Sequence, residues 1–495
     1  MVWCMYEKAH STDDQTTIKL VRKETGEANL FPMQYCGSLL TKSNSLVFLL
    51  GLLTLAGGRC FTSVQAMSPT PPTTTDTNTL LPHLRKAFPT VESYEILTTI
   101  VQSNAKGFIL KLEDSQNADT GSTTTPSQVF MKLVDASEYV SQKKDWNDLR
   151  RTLMYARTEE RFYASIQPLL AQKGFHGTPT CYLSESDLQG WIGDDEHATD
   201  AANPTVDKDS LPDADKKGGL LILDCISPNT HFQDSPLTMD QCRSCLAAVA
   251  QLHAAAWQDT ALLERAEREL SKASFHLSTR NPKELAGIES AWAGFCEAFS
   301  AEMQEAGLAN QPDILDLGRR LAAVAEYTSR QVSPAPKEPF ATLIHGDYKS
   351  MNAFLPRKPD DPAILVDFAS CGPGLGMSDV AMHIHHAVVP ENLENGGEEA
   401  LVKYYWQCLQ NSLNDVEYPW EEALRHYKLA VVDYGRFFMA RMWKGATPAV
   451  MLKKKDNKNV NLINRSPPAA MRFIRQLNTY LKEIEEEIKA NSQEL

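Results

Sequence analysis

Hydrophobic and polar positions alternate in three short runs near residue 90, and this pattern predicts β-strands. The runs are Tyr94–Val101, Gly107–Leu112 and Gln128–Val134. Alternation with a period of two is typical of strands that bury one face. A short amphipathic segment, residues 80–88, precedes them, and a fourth apolar run, Gly219–Ile226, follows a long polar stretch. The pattern therefore predicts a small β-sheet in the first half of the chain.

Helical periodicity dominates the rest of the chain. Residues 146–171 carry apolar side chains spaced three or four apart, which predicts an amphipathic helix between the third and fourth strands. Its apolar stripe consists of Leu149, Leu153, Ala156, Tyr163, Ile166 and Leu170. Residues 242–257 show the same periodicity, and residues 258–335 are mostly helical with many charges.

Two stretches place chemically capable residues directly beside apolar runs. The first is LIHGDYKSMNAFL, which contains His345, Asp347 and Asn352, and the second is ILVDFA, which contains Asp367. Phosphoryl transfer needs a carboxylate to orient the attacking hydroxyl, and hard oxygen ligands for magnesium. Asp347 fits the first role, and Asn352 and Asp367 fit the second. His345 would hold the loop through hydrogen bonds rather than react.

A lysine inside the third strand is the candidate cation for nucleotide phosphates. Because strand side chains alternate, Lys132 projects to the face opposite Met131 and Leu133. A lysine in this position would bind the α- and β-phosphates, as in kinase folds. The alternative is an edge-strand lysine that faces water. Glu159 and Glu160 flank the centre of the next helix equally, so periodicity leaves open which of them would pair with Lys132.

At these residues the chain resembles the aminoglycoside phosphotransferase and choline kinase superfamily, and most closely its ecdysteroid kinase-like (CHK-kinase-like) proteins. HGDYKSMN matches that family's HGDxxxxN, and VDFASCGPGLGMSDVAMHI is similar to its DFQ…GP…DLA stretch. The resemblance implies an α+β, protein-kinase-like fold with two lobes, a small antiparallel β-sheet lobe and a larger, mainly helical lobe. It also implies ATP and Mg²⁺ as cofactors and a small-molecule hydroxyl as the phosphoryl acceptor.

The resemblance also assigns roles that the residue pattern leaves open. The family pattern E-x-x-F-Y selects Glu159 as the partner of Lys132, and Lys349 would contact the γ-phosphate. Asp379 would tie down the catalytic loop, although its position also suits a helix N-cap. The helical regions, residues 258–335 and 395–445, would form the acceptor pocket. Its candidate aromatic residues are Trp257, Trp292, Tyr404, Trp406 and Trp443.

The resemblance places the adenine and phosphate contacts on backbone groups, which leave little signature in the side chains. The first strand–strand turn, residues 102–107, has one glycine and no G-x-G-x-x-G. On composition alone it is a plain hairpin turn, but Ser103, Asn104 and the amides up to Gly107 could still cover the phosphates. The backbone after the fourth strand would bind the adenine edge. The residues concerned are Asp224, Cys225 and Ile226.

Composition narrows the possible partners. The net charge of −14 over 495 residues argues against nucleic acid and anionic membranes as main partners, and we expect a monomer. Cys242 and Cys245 form a C-x-x-C without a second pair or a nearby His, so chance spacing is favoured over zinc or redox chemistry. A phosphotransferase needs oxygen ligands, so we do not assign a metal to the histidines. These are His383, His385 and His386.

Two other functions remain open. A protein kinase needs a long activation segment after the Asp-Phe pair, yet only a dozen residues separate Asp367 from Asp379, which favours a small-molecule acceptor. A catalytically silent nucleotide-binding scaffold is the main alternative. The weak glycine signal supports that alternative, whereas the presence of Asp347, Asn352 and Lys132 opposes it.

We divide the chain into a targeting and linker segment (residues 1–80), a nucleotide lobe (81–225) and a helical lobe (226–490). The uncharged apolar run within residues 46–66 is too short for a comfortable transmembrane helix and suits a signal peptide. A hydroxyl-rich stretch follows it. We therefore expect entry into the secretory route or a plastid, with a cytoplasmic location as the alternative.

Overall fold

The computed structural model describes most of the chain from residue 79 onward. The described residues are 79–101, 105–114, 125–137, 146–188, 213, 216–270, 277, 280, 282–413 and 416–493. Our predictions for Ser103, for Asn104, for the targeting segment and for most of the two polar insertions lie outside these ranges.

A five-stranded antiparallel sheet forms the smaller lobe, with its strands in the order β1-β2-β3-β5-β4. The strands are β1 (Val91–Val101), β2 (Lys106–Asp114), β3 (Gln128–Asp135), β4 (Cys181–Ser186) and β5 (Gly218–Asp224). One face packs on helix α1 (Leu81–Ala87), where Leu84 meets Val129 and Met131. Lys132 pairs in register with Leu221 of β5 and lies on the opposite face, as strand alternation requires.

The predicted amphipathic helix over residues 146–171 is interrupted. It consists of α2 (Trp146–Arg161), a π-helical turn (Phe162–Ile166) and α3 (Gln167–Gln172). Phe162, Tyr163 and Ile166 are fully or almost fully buried. π-Helical turns are rare and often accompany functional sites, and this one follows Glu159 directly.

Helices form most of the larger lobe. In chain order they are α4 (Met239–Ala256), α5 (Thr260–Glu269), α6 (Pro282–Ala286), α7 (Ile288–Ala298), α8 (Ser300–Glu305), α9 (Pro312–Leu315), α10 (Leu317–Gln331), α11 (Gly376–Ala387), α12 (Pro390–Leu393), α13 (Gly397–Ser412), α14 (Trp420–Phe437), α15 (Pro448–Lys453) and α16 (Pro467–Gln493). A second π-helical turn (Phe438–Met442) follows α14. Thr238 and Gln241 form a capping box that starts α4, which satisfies amide groups at the helix end.

Five short strands hold the predicted catalytic residues between these helices. They are β6 (His231–Phe232), β7 (Thr342–Ile344), β8 (Ala353–Pro356), β9 (Ile364–Leu365) and β10 (Gly372–Gly374). β7 pairs with β10, and β8 pairs with both β6 and β9. Because β8 begins immediately after Asn352 and β9 ends two residues before Asp367, their pairing brings these two residues to one edge.

Ion pairs hold the C-terminal helix, α16, against the rest of the larger lobe. Glu485 binds Arg320 at 2.6 Å, and Glu487 binds Arg425 at 2.6 Å. These carboxylates therefore tie α16 to α10 and α14. No helix among the described residues is both long and apolar enough to span a membrane. The antiparallel sheet lobe and the larger helical lobe confirm the predicted two-lobed, protein-kinase-like fold.

Candidate active site

The loop between β7 and β8 brings Asp347, Lys349 and Asn352 together. The Nζ of Lys349 lies 2.6 Å from the Oδ2 of Asp347. The amide nitrogen of Asn352 donates to the backbone oxygen of Asp347 at 2.8 Å and to its Oδ2 at 3.3 Å. The Asp347 side chain keeps 26% of its surface exposed, so its carboxylate is held by the loop and can still meet a hydroxyl group.

His345 acts as a buried support for this loop. Its Nε2 lies 2.9 Å from the backbone oxygen of Val366, and its Nδ1 accepts a hydrogen bond from the Asp347 amide at 3.3 Å. A carbonyl oxygen only accepts, so the proton is assigned to Nε2 and the ring is neutral. The ring also contacts Phe368, with centroids 4.8 Å apart. His345 thereby joins the Asp347 loop to the segment that carries Asp367.

Asp379 holds the backbone of the same loop. Its two carboxylate oxygens accept the amide protons of His345 at 2.7 Å and of Gly346 at 2.9 Å. The Nε2 of His253 lies 3.1 Å from Asp379, and the Nδ1 of His253 lies 2.7 Å from the Tyr405 hydroxyl. All these side chains are buried, so the hydrogen bonds form one continuous network that is shielded from water.

One of the two interpretations of Asp379 is wrong. Leu375 is the N-cap of α11, and Asp379 lies inside the first turn of that helix. The carboxylate is directed to the loop rather than to its own helix end. His253 is thus a hydrogen-bonded histidine of the core.

Lys132 joins the sheet lobe to the predicted metal ligand. Its Nζ forms a short ion pair with Glu159 and lies 3.4 Å from the Oδ1 of Asp367. The side chains of all three residues are at most 7% exposed. Glu160 instead accepts a hydrogen bond from Ser186 at 3.3 Å. The structure thus selects Glu159, which helical periodicity could not do.

Electrostatics keep the site charged despite its burial. Burial lowers the pKa of Lys132, but the carboxylates of Glu159 and Asp367 reverse this, and the pKa is raised. Burial likewise lowers the pKa of Lys349, and Asp347 and Asp367 raise it to about 12. Burial raises the pKa of Asp367, yet nearby cations, including Lys132 and Lys349, hold it below its usual range. Lys349 therefore interacts electrostatically with both carboxylates.

Asn352 and Asp367 present a donor set that suits magnesium. The Oδ1 of Asn352 is buried and has no hydrogen-bond partner, which fits an oxygen reserved for a metal. Asp367 adopts a left-handed backbone conformation with φ +69°, an uncommon conformation that occurs at functional sites. Mg²⁺ is typically bound by one or two protein groups together with phosphate oxygens and water. Among the described residues no group of three His, Cys, Asp or Glu side chains could hold a metal by itself.

The predicted nucleotide contacts lie where the lobes meet, with one change. Gly107 belongs to β2, where our strand prediction placed it, and pairs in register with Lys132, so it is not part of the turn before that strand. A Cβ at this position would lie 2.8 Å from the Phe130 ring, which explains the glycine. Asp224 ends β5, and its amide donates to the oxygen of Thr180 at 2.8 Å.

Cys225 and Ile226 follow β5 directly, at the transition from the sheet lobe to the helical lobe. Cys225 is half-buried and Ile226 is 5% exposed. Their position agrees with a hinge. The assignment of their backbone groups to the adenine edge stays a prediction.

The helix that carries Glu159 is docked on the larger lobe through contacts that no local sequence pattern indicates. Arg161 donates to the backbone oxygen of Glu269 at 3.2 Å, and Ser165 donates to the Glu269 carboxylate at 2.6 Å. Phe162 stacks on Phe368, with centroids 3.8 Å apart and planes 4° apart. Contacts across about a hundred residues of sequence leave no local pattern, so only the three-dimensional structure could find them.

Two of the five candidate pocket aromatics are core residues. Trp292 and Trp443 are at most 1% exposed and stack with centroids 6.5 Å apart. Trp406 donates its indole proton to the oxygen of Tyr418. Tyr434, which we did not predict, is fully buried, and its hydroxyl accepts a hydrogen bond from the Asn461 amide at 2.8 Å.

The three histidines of α11 also pack in the core. Burial lowers the pKa of His383 and of His385 to about 4, and it holds the pKa of His386 well below its usual value. Cys242 and Cys245 are both fully buried thiols.

Several solved structures are similar to this chain. One is a putative aminoglycoside phosphotransferase from Ralstonia eutropha JMP134, with 14% identity over 81% of this chain and 97% of that chain and a TM-score of 0.39. Another is an aminoglycoside phosphotransferase from Alicyclobacillus acidocaldarius, with 11% identity over 85% of this chain and 98% of that chain and a TM-score of 0.42. A third is the choline kinase LicA from Streptococcus pneumoniae, with 13% identity over 82% of this chain and 98% of that chain and a TM-score of 0.34. No curated protein sequence matches the chain. Residues 212–418, which include the catalytic loop and Asp367, match the ecdysteroid kinase-like family, and this match confirms the resemblance that the sequence motifs predict.

Proposed function

We propose that this protein transfers the γ-phosphoryl group of ATP to a hydroxyl group of a small molecule. The observation that carries the proposal is the convergence of two charged clusters. Asp347, Lys349 and Asn352 come from one loop, and Lys132 reaches Asp367 from the sheet lobe at 3.4 Å. Such a set of cations and oxygen ligands is what phosphoryl transfer requires.

Each residue has a distinct task in the proposed reaction. Asp347 accepts a hydrogen bond from the acceptor hydroxyl, directs its oxygen at the γ-phosphorus and takes its proton as the new O–P bond forms. Lys132, fixed by Glu159, binds the α- and β-phosphates. Lys349 lies against Asp347 and neutralises charge on the transferred group. Positioning and electrostatic stabilisation are the main sources of rate in such reactions.

Asn352 and Asp367 would hold Mg²⁺. The metal, when bound, neutralises the β- and γ-phosphate oxygens and so favours departure of ADP. The unpartnered Oδ1 of Asn352 and the low pKa of Asp367 keep both ligands ready at neutral pH without a proton having to leave.

The test separates binding from chemistry. Wild type, Asp347→Asn and the control Asp360→Asn are compared for Mg-ATP binding by thermal shift and for transfer of labelled phosphate to a metabolite extract. Asp360 is an exposed residue in the turn after β8. We expect Asp347→Asn to bind Mg-ATP normally and to lose transfer by about 10²–10⁴-fold, while the control transfers label like wild type.

Three outcomes would contradict the proposal. Wild type that binds Mg-ATP but labels no metabolite would favour a nucleotide-binding scaffold. Labelling of mixed peptides in place of metabolites would favour a protein kinase. Equal transfer by wild type and Asp347→Asn would remove Asp347 from the mechanism.

A further inference from the structure

We call residues 441–458 the basic segment, because this stretch is positively charged although the protein as a whole is negatively charged. The segment holds six cationic side chains and one acidic side chain, Asp456, in a chain whose net charge is −14. The cations are Arg441, Lys444, Lys453, Lys454, Lys455 and Lys458. A concentration of one sign of charge on a surface creates a local field that attracts the opposite sign. The net charge of the whole chain therefore misrepresents this surface.

Neighbouring acids do not cancel this charge. Asp234 pairs with Lys458 at 2.7 Å, and Glu284 pairs with Arg441 at 2.7 Å. Counting both together with Asp456, cations still outnumber acids by two to one. Lys453, the last residue of helix α15, and Lys455, just beyond the helix, are exposed to solvent.

Large apolar side chains are exposed on the same segment. Among the described residues six large hydrophobic side chains are exposed, and three of them, Met442, Val450 and Leu452, belong to the basic segment. Leu452 is 57% exposed, the largest fraction of the six. Met451 is only 1% exposed, so α15 is anchored in the core and presents its neighbours outward. Apolar side chains beside lysines are typical of surfaces that bind at a lipid–water interface.

The basic segment also borders the candidate active site. It continues into Asn461, whose amide donates to the Tyr434 hydroxyl at 2.8 Å. Gln233, the neighbour of the Asp234 that pairs with Lys458, donates to the backbone oxygen of Met351 in the catalytic loop at 2.5 Å. Arg465 reaches back to the oxygen of Lys455 at 2.9 Å and to Ser235 at 2.6 Å. The segment is therefore fixed beside the catalytic loop and is not a remote appendage.

We propose that the basic segment docks the protein on an anionic phospholipid surface. The lysines lie over the lipid phosphates, and Met442, Val450 and Leu452 enter the headgroup layer. Binding by such a surface needs no membrane-spanning helix. If the proposed kinase activity holds, on which this extension rests, the acceptor hydroxyl is presented to Asp347 from the lipid surface.

Vesicle binding without ATP tests the proposal. The full chain is sedimented with vesicles of phosphatidylcholine alone and with vesicles that also contain phosphatidylglycerol. We expect binding to the anionic vesicles only. Each lysine near such a surface contributes roughly fivefold in affinity, so Lys453→Gln with Lys455→Gln should weaken binding roughly 25-fold. Leu452→Ser should weaken it further, because its apolar contact is lost.

The matched control is Leu315→Ser with Lys489→Gln, which changes an exposed leucine on α9 and an exposed lysine on α16. It should bind like wild type. Absence of binding to anionic vesicles, equal binding to neutral ones, or equal loss in the control would overturn the proposal. A soluble anion or an acidic protein as the true ligand would give the first of these results.

The outcome is independent of the kinase proposal. The Asp347→Asn protein should bind anionic vesicles like wild type, because Asp347 is not part of the basic segment. Failure of vesicle binding would leave phosphate transfer to soluble acceptors intact, and failure of transfer would leave vesicle binding intact.

Discussion

Substitution of Gly376 by alanine should break the buried network that positions the catalytic loop. Gly376 is the first residue of α11, and a Cβ there would lie 2.6 Å from the Nδ1 of His253 and closer still to the Tyr405 hydroxyl oxygen. Both neighbours are fully buried. The hydrogen bond from Tyr405 to His253 is therefore the contact that must give way.

The expected cost follows from three contributions. Overpacking costs about 1–3 kcal/mol, and separation of a buried hydrogen-bonded pair costs about 1–3 kcal/mol. The higher helix propensity of alanine returns up to about 1 kcal/mol. We expect Gly376→Ala to lower the free energy of unfolding by about 2–4 kcal/mol, and to lower kcat because Asp379 loses its support.

A double-mutant cycle measured by urea denaturation and by initial rates checks this reasoning. Tyr405→Phe removes the clashing oxygen, and alone it should cost about 1–2 kcal/mol. The double variant should lose less stability than the sum of the losses in the two single variants, by at least about 1 kcal/mol. Gly294→Ala is the control, because its Cβ would meet nothing within 4 Å. Strict additivity, or an unchanged stability of Gly376→Ala, would refute the reasoning.

Two further predictions concern buried charge. Lys132→Met should lower kcat/KM for ATP by about 10²–10³-fold because the contact of Lys132 with the phosphates is lost. Lys132→Arg keeps the charge and should lower kcat/KM less. Equal steady-state rates for the two variants would contradict this. The pKa of His383 is about 4 in the folded chain and 6.5 as a free group. As the pH falls, the unfolded chain therefore binds a proton at this residue before the folded chain does. Between pH 6.5 and pH 5 this should lower the free energy of unfolding by about 2 kcal/mol. Urea denaturation of His383→Phe, which keeps the ring on Tyr348, should show a smaller fall than wild type; parallel pH curves would count against it.

The catalytic loop could be predicted because its chemistry is local in sequence. Asp347 and Asn352 are five residues apart in one loop, and the flanking strands are apolar runs. Strand alternation likewise placed Lys132 on the correct face of β3. These features depend on neighbours along the chain, so one sequence suffices to propose them.

Features that depend on distant packing could not be predicted. In the sequence the position of Asp379 suits a helix N-cap. Only the folded chain shows that its carboxylate accepts the amide proton of His345. The sequence left Gly107 at the boundary between a turn and a strand, and only the structure shows that a side chain there would collide with Phe130. Periodicity treated Glu159 and Glu160 alike, because a choice between adjacent helical residues requires the position of Lys132.

The docking of the Glu159 helix on the larger lobe bears on how such a protein would be controlled. A molecular switch needs an element with two alternative packings of similar energy. Here Arg161 and Ser165 fasten that helix to Glu269, and Phe162 stacks on Phe368, so the ion pair with Lys132 is assembled before any ligand arrives. Flux through such a catalyst would follow the supply of nucleotide and alcohol, much as in metabolic enzymes that carry no on–off state of their own.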